Sequence, residues 1–431
     1  MDLQQAREEI RRADREMAAL FERRMAAVRA VAAYKNEHGL PIEDKAQEAR
    51  VIARGCEQLK DEALRPYYVR FLQDTMELSK QLQRQLISGR SPSGAGSARL
   101  TMELGERSYD IIVRRGCLQE AGSLLNLDRK VLIVTDEGVP AAYADALAAQ
   151  CRAPQRCTVA QGEGSKSLPV LERLLEMMLQ AGFTRSDCVC AVGGGVVGDL
   201  AGFAASSYMR GIDFYNIPTT VLSQVDSAIG GKTAVNLGGV KNIVGAFWQP
   251  KRVLIDPDTL KTLPSRQRSA GLAEALKAGL IADAQLVSLF ERGETEARID
   301  EVILAALRVK KAVVEADERE SGLRKILNFG HTIGHGIESV TGLLHGECVA
   351  LGMLPMCSPE IRARLLPIYE TLGLPTQVRA DPEAVWAALL HDKKAHEGAI
   401  SVVRVNEIGS YCIEDMAPAA LRPLIDLVVR P

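Results

Sequence analysis

A chain of 431 residues exceeds one ordinary hydrophobic core, so two or three domains are expected. Its composition is that of a soluble globular protein, 47% hydrophobic and 25% charged, and a net charge of -2 gives no reason to expect a nucleic-acid or membrane-surface partner. No apolar run approaches the roughly 20 residues that span a bilayer, the N-terminus MDLQQAREEIRR carries no secretory apolar region, and nine scattered cysteines fit reduced thiols in a cytoplasmic enzyme.

Residues 3–35 contain neither Pro nor Gly and are predicted to form one long helix. At heptad spacing stand Leu3, Ile10, Met17, Arg24 and Val31, which puts Arg24 on the apolar seam. A guanidinium there must find an anion or reach out to water, because an unpaired buried charge is costly. A second helix is expected from about Glu43 to Asp44, after the Gly39-Leu40-Pro41 break, and a third from about Pro66 to Leu86.

This block resembles the all-helical chorismate mutase family over essentially its whole length. The matching residues are Arg7, Arg24 in ERR, Lys35, Asp44 and Glu48 in PIEDKAQE, and Ser79 and Gln83 in ELSKQLQ. One departure is Gln47, where the family often has Arg before the glutamate. The resemblance implies that Arg7 and Arg24 grip chorismate's carboxylates, that Lys35 and Gln83 meet its ether oxygen, and that Asp44 and Glu48 handle the hydroxyl side. Rearrangement to prephenate is pericyclic, so fixing the reactive conformer and stabilising charge at the breaking ether bond suffices. The alternatives for residues 1–87 are a module that senses chorismate or prephenate, and a plain helical dimerisation arm.

Residues 88–98, SGRSPSGAGSA, have the composition of a linker. Beyond it, Val- and Ile-rich runs (Val131 to Val134, Cys188 to Val192, Phe214 to Ile217, Val253 to Ile255) alternate with helical stretches, the pattern of an α/β domain over 99–263. Cys188 and Cys190, one residue apart in such a run, are expected to be buried in a strand. The run from Cys188 ends in Gly193-Gly194-Gly195-Val196-Val197-Gly198-Asp199 before a helix, a turn that lets backbone amides approach a pyrophosphate. Polar loops at two earlier strand ends, Thr135-Asp136-Glu137-Gly138 and 162–167 (GEGSKS), add to a nucleotide crevice. Gly230-Gly231-Lys232-Thr233 lacks the first glycine of a Walker A loop, since Asp226 stands there, and so argues against an NTPase.

Residues 218–250 set many polar groups between turns. From about Pro264 helical patterning returns, with no strand expected until Ile400 to Val405, which makes 264–431 a mostly helical domain. There Glu274 and Lys277 fall three apart on one helix face. Lys310, Glu320, Arg324 and Asn328 then lead into NFGHTIGHGIESVTGLLHGE (328–347), which holds three of the six histidines. His331 and His335 share a helix face at i, i+4, and His345 follows a further loop. Two or three imidazoles beside one carboxylate suit a catalytic zinc with an open position, and on spacing alone His335 is as good a ligand as His331. The surrounding lysines, arginines and asparagines describe a site for a small polyhydroxylated anion.

Seven segments in order, GGGVVGDLAGF, MRGIDFYNIPTT, VDSAIGGKTAVN, GVKNIVGAFWQP, AEALKAGLI, LNFGHTIGHGIE and LHGE, resemble the 3-dehydroquinate synthase family across about residues 99–431. The resemblance implies zinc (or cobalt) on Glu274, His331 and His345, with His335 left as a substrate-side hydrogen-bonding or proton-transfer group. It places NAD against Asp136, Glu163, Lys166, Gly194, Gly195, Val196, Asp199, Thr219, Thr220, Lys241 and Thr262. It places substrate phosphate and carboxylate on Arg210, Lys232, Asn242, Lys310, Arg324, Asn328 and Lys393, with Asp226, Lys277 and Glu320 lining the site. The substrate implied is 3-deoxy-arabino-heptulosonate 7-phosphate. Its C5 would be oxidised by NAD, phosphate eliminated, hydride returned, and the ring reclosed by an intramolecular aldol step. The alternatives are another sugar-phosphate cyclase and a metal-dependent polyol dehydrogenase. Both families resembled are dimeric, which implies a homodimer.

Overall fold

A computed structural model describes residues 3–37, 45–57, 59–88, 97–392 and 399–431. The chain forms two compact units, Met1–Gly96 and Ser97–Pro431. Among its described residues the first holds three α-helices, α1 (Leu3–Glu37), α2 (Lys45–Glu57) and α3 (Arg65–Ser88). The Pro- and Gly-free run thus remains one helix, and among the described residues Val28 and Ala32 of α1, Cys56 of α2 and Met76 of α3 are buried apolar side chains. The expected starts of α2 at Glu43 and Asp44 lie outside the described residues.

The second unit opens with β1 (Ala98–Met102), β2 (Tyr109–Val113), α4 (Ala121–Leu124), β3 (Lys130–Asp136), α5 (Ala141–Ala148), β4 (Ala153–Val159), α6 (Leu168–Gln180), β5 (Cys188–Gly193), α7 (Gly195–Ser207) and β6 (Asp213–Pro218). A hairpin of β7 (Lys232–Leu237) and β8 (Val240–Phe247) precedes β9 (Arg252–Ile255). Seven strands form one sheet in the order β1-β2-β9-β6-β5-β3-β4, antiparallel at β1–β2 and parallel elsewhere. Helices cover both faces, so the central strands read as continuous apolar runs. Alternate residues split between two cores: Leu132, Val134, Val189 and Ala191 face Leu174 of α6 and Leu200 of α7, whereas Ile133, Cys188 and Cys190 face Leu147 of α5. Both cysteines are fully buried strand residues, as their setting predicted.

The helical part comprises α8 (Ser265–Ala282), α9 (Ala284–Glu291), α10 (Ile299–Ala316), α11 (His331–Val340), α12 (His345–Met353), α13 (Pro359–Leu372), β10 (Val378–Arg379), α14 (Pro382–Asp392), β11 (Ile400–Arg404), β12 (Cys412–Met416), α15 (Pro418–Ile425) and β13 (Val429–Arg430). Two readings change here. A strand precedes Ile400 after all, because Val378–Arg379 pairs with Val429–Arg430, too short a partner to leave a pattern. The polar stretch 218–250 is not merely turns: a π-helical turn at Ser223–Ser227 leads into the β7–β8 hairpin. Its tip is Gly238-Gly239, with φ of 60° and 80°, the two-residue turn that glycine pairs favour. Among the described residues no helix is long and apolar enough to cross a membrane.

Candidate active site

In the parallel sheet, β3 connects outward to β4 while β5 connects the other way to β6, which opens a crevice at the carboxyl ends of β3 and β5. Asp136 ends β3 and accepts from the Gly138 amide at 2.8 Å. Gly194 and Gly195 begin α7 with Val196 in its first turn, and the Thr219 amide donates to Gly193 O at 2.9 Å. An added Cβ at Gly194 would lie 3.2 Å from Thr220. Lys166 joins Asp199 Oδ2 (2.6 Å) and Asn242 Oδ1, with Glu163 Oε1 at 3.8 Å. Burial pushes the Asp136 and Asp199 carboxyls upward, Lys166 opposing it at Asp199. Thr262 is exposed and bonds the Tyr143 hydroxyl at 2.9 Å.

The histidine cluster is assembled by close helix packing. A Cβ at Gly346 would lie 1.8 Å from Ala270 O, and one at Gly352 1.9 Å from Gly330 O, so α12 meets α8 and the start of α11 backbone to backbone. That contact carries His345, on α12, to Glu274, on α8. Glu274 Oε1 is 3.6 Å from His331 Nε2 and 3.5 Å from His345 Nε2. These separations are close to the roughly 3.4 Å edge of a tetrahedron with ~2.05 Å ligand bonds. The three ligand atoms all lie within 4.8 Å of one another. Glu274 is buried, and among the described residues neither of its carboxylate oxygens has a hydrogen-bond partner, although Lys277 Nζ lies against Oε2 as an ion pair. A divalent cation with one carboxylate and two imidazoles therefore fits this site. Burial pushes His331 well below its ordinary range, with Lys277 adding to the effect. Replacing Gly346 by Ala is expected to force α12 off α8, at about 1–3 kcal/mol or more. A melting curve of the metal-free chain checks this, and an unchanged midpoint counts against the packing account.

His335 is half-buried, its ring centroid 5.3 Å from His331 and 5.9 Å from His345. It is not in the set on Glu274; it joins a second set with Glu338 and His345. Sequence reasoning missed Glu338, although it sits in the same HGIE stretch. Its Oε2 is 3.0 Å from His345 Nδ1, and Lys241 Nζ donates to its Oε1 at 2.7 Å. Against the opposing effect of burial, His345 and Lys241 hold the Glu338 carboxyl at about 2.

Cations and acids pair beside this cluster. Lys310 Nζ is 2.7 Å from Asp226 Oδ1, and Lys232 pairs with Glu320, which also accepts from Asn328 Nδ2 at 2.8 Å. Arg324 is buried, donating to Gly230 O (3.1 Å) and Glu318 O. Gly230 has φ 92°, and a Cβ there would come within 2.6 Å of that guanidinium. Asp317 anchors the loop by accepting from the amides of Ser321 (2.9 Å), Gly322 (2.7 Å) and Arg324 (3.0 Å), bonds that hold its carboxyl well below the usual range. Among the described residues only Met209, Arg210, Asn242 and Glu320 are non-glycine positions with positive φ. Three of the four are candidate site residues, and such strain gathers at functional sites. Arg210 is exposed, and among the described residues no hydrogen bond or ion pair ties it to this cluster. Lys393 lies outside the described residues.

In the first unit, Arg24 is half-buried and donates to Ser79 Oγ and to Thr75 O (3.2 Å), so the seam position is resolved by polar partners on α3. Burial lowers its pKa. Gln83 is buried, and among the described residues its Oε1 has no hydrogen-bond partner. Lys35 is half-buried, whereas Arg7 is exposed and seventeen positions from Arg24 on one continuous helix, about 25 Å at 1.5 Å per residue. One chain does not bring those two together. Asp44 and the side chain of Glu48 lie outside the described residues.

The family model described as 3-dehydroquinate synthase N-terminal matches residues 156–270, its C-terminal counterpart residues 271–395, and chorismate mutase type II residues 6–84. A curated 3-dehydroquinate synthase of Enterococcus faecalis is 41% identical over 352 residues, which cover 76% of this chain and 98% of that protein. The solved structure of 2-deoxy-scyllo-inosose synthase complexed with carbaglucose-6-phosphate, NAD+ and Co2+ superposes with a TM-score of 0.70 at 25% identity, covering 76% of this chain and 99% of that one. That of 2-epi-5-epi-valiolone synthase from Streptomyces hygroscopicus, with NAD+ and Zn2+ bound, gives 0.68 at 29% identity, covering 75% and 96%.

Proposed function

The chain belongs to the 3-dehydroquinate synthase family and carries a chorismate mutase domain ahead of it, and from this we infer that it is a bifunctional enzyme of aromatic biosynthesis. Its second unit converts 3-deoxy-arabino-heptulosonate 7-phosphate to 3-dehydroquinate and phosphate; its first rearranges chorismate to prephenate. The observation that carries the synthase reading is the convergence of Glu274, His331 and His345 beside Lys277, with Asp226–Lys310 and Lys232–Glu320 close by in the same unit.

In this reading Glu274, His331 and His345 hold a zinc or cobalt ion, and Gly194, Gly195 and the start of α7 receive the NAD pyrophosphate. When bound there, such an ion would supply polarisation of substrate oxygens, and NAD a hydride acceptor and donor. The protein supplies the rest. Lys232, Lys310, Arg324, Asn328 and Asn242, with Arg210 and Lys393, bind the substrate's phosphate and carboxylate. Lys232 and Lys310, paired with Glu320 and Asp226, are held in place before substrate arrives. His335, beside the ligands but outside their set, is placed to move a proton from a substrate hydroxyl. Asp226, Lys277 and Glu320 hold their partners in register. In the mutase unit Arg24, with Ser79 behind it, meets a carboxylate and Gln83 the ether oxygen.

We place the enzyme as a cytoplasmic homodimer. Nine free cysteines support a reducing compartment. An exposed apolar row on α1 (Met17, Leu20, Phe21, Val31) and the span separating Arg7 from Arg24 favour a second copy completing the mutase site. The test of function uses the intact chain: phosphate released from the heptulosonate phosphate with no net change in nicotinamide absorbance, lost on chelation and restored by zinc. Accumulating NADH would indicate a polyol dehydrogenase, and turnover of sedoheptulose or hexose phosphate instead another cyclase. Chorismate consumption distinguishes a mutase from a sensor, which would leave chorismate intact and alter synthase rates when prephenate is added.

A further inference from the structure

Glu338 touches two groups with separate assignments. His331 and Glu338 are seven residues apart on α11, two helical turns, and so lie on one face. Through Oε2 the carboxylate meets His345 Nδ1 at 3.0 Å, and through Oε1 it accepts from Lys241 Nζ, on β8, at 2.7 Å. The other nitrogen of the same imidazole, His345 Nε2, faces Glu274 Oε1 at 3.5 Å. We propose that Glu338 is a positioning residue for the metal site, fixing the ring and tautomer of His345 and tying that ligand to Lys241 on the β7–β8 hairpin.

The argument is one of valence. A neutral imidazole carries one N–H; a carboxylate at Nδ1 draws that proton and leaves the Nε2 lone pair aimed at Glu274, where a cation would sit. A carboxylate behind the ring also raises its basicity as a ligand. Lys241 holds the other oxygen, so Glu338 cannot swing away without losing an ion pair. His335, Glu338 and His345 also lie close enough to be read as a second cation site. An ammonium 2.7 Å from the carboxylate, and a ring already committed through Nδ1, argue against a second ion there.

This inference rests on the metal-site reading above, and the experiment separates the two. Cobalt is titrated into the metal-free full-length chain, and affinity and visible absorption are recorded for the parent, His331→Ala, Glu338→Ala, Glu338→Gln and Lys241→Met. One equivalent is expected for the parent and loss of binding for His331→Ala. Glu338→Ala is expected to weaken cobalt binding by about 10- to 100-fold with an altered spectrum. Glu338→Gln, which keeps an acceptor for Nδ1, is expected to fall in between and covers the case in which the alanine variant does not fold. Lys241→Met is expected to weaken binding less than Glu338→Ala. Parent-like affinity and spectrum in both Glu338 variants, with His331→Ala defective, overturns the positioning role alone. A second equivalent of cobalt lost only in the Glu338 variants overturns it in favour of a second site. Unchanged binding in His331→Ala overturns the metal-site reading and this inference with it.

Discussion

Lys232→Ala is expected to lower kcat/KM for phosphate release by on the order of 10^3, the loss found when a donor aimed at transition-state charge is removed, while metal content and melting temperature stay near those of the parent. Lys232 begins β7, one residue beyond the left-handed Gly230-Gly231 turn, and its side chain remains half-exposed. The Glu320 carboxylate that pairs with it is held below its ordinary range by that ammonium in spite of burial, and sits at φ 60°. An exposed ion pair of this kind contributes only about 0–1 kcal/mol to stability. The strained backbone that presents Glu320 is therefore better explained by ligand binding than by folding. Chorismate turnover by the same preparation serves as the control for intact protein and is expected to be unchanged. Near-normal phosphate release would remove Lys232 from the anion-binding set, as would loss of metal together with activity.

Much of this site was legible in the sequence because it lies in short runs of glycine and polar residues, each with a local physical reason. Gly194 and Gly195 open a helix at the switch point of the sheet, and residues 3–35 form one helix on which Arg24 meets α3 while its heptad neighbours Met17 and Val31 are exposed. What was hidden depends on tertiary approach. The i, i+4 rule made His335 as good a ligand as His331, and nothing local showed that Gly346 lets α12 reach α8 and brings His345 onto Glu274. Glu338 escaped notice because a glutamate three residues past His335 looks like an ordinary helix-surface acid until Lys241 and His345 are found against it. The β7–β8 hairpin could have been found, since Gly238-Gly239 between alternating residues is a turn signal. Its density of polar side chains, several of them aimed at the site, masked the alternation. Arg7 and Arg24 show the converse limit: a resemblance assigns both to one ligand, whereas a straight helix keeps them apart within a chain.

Glu274→Ala is expected to abolish synthase turnover and also to destabilise the metal-free protein by about 3–5 kcal/mol, the cost of leaving a buried charge without its partner. Glu274 and Lys277 are both nearly inaccessible, at 2% and 3% exposure, and pair across one turn of α8. Burial works against the Lys277 ammonium, and Glu274 followed by Asp226 sustains it above its ordinary range. Without Glu274 that charge keeps the smaller effects of Asp226 and Glu320 to offset its desolvation. The melting midpoint is expected to fall by roughly 5–15 °C. Stability and chemistry then separate in the double variant Glu274→Leu with Lys277→Met. Replacing a buried ion pair by apolar side chains of similar volume is often neutral or better, so the midpoint is expected to recover while metal binding and phosphate release do not. Glu274→Ala melting like the parent would show that Lys277 is not held by this carboxylate. A double variant that recovered stability and also bound zinc with parental affinity would mean that the ion is held elsewhere.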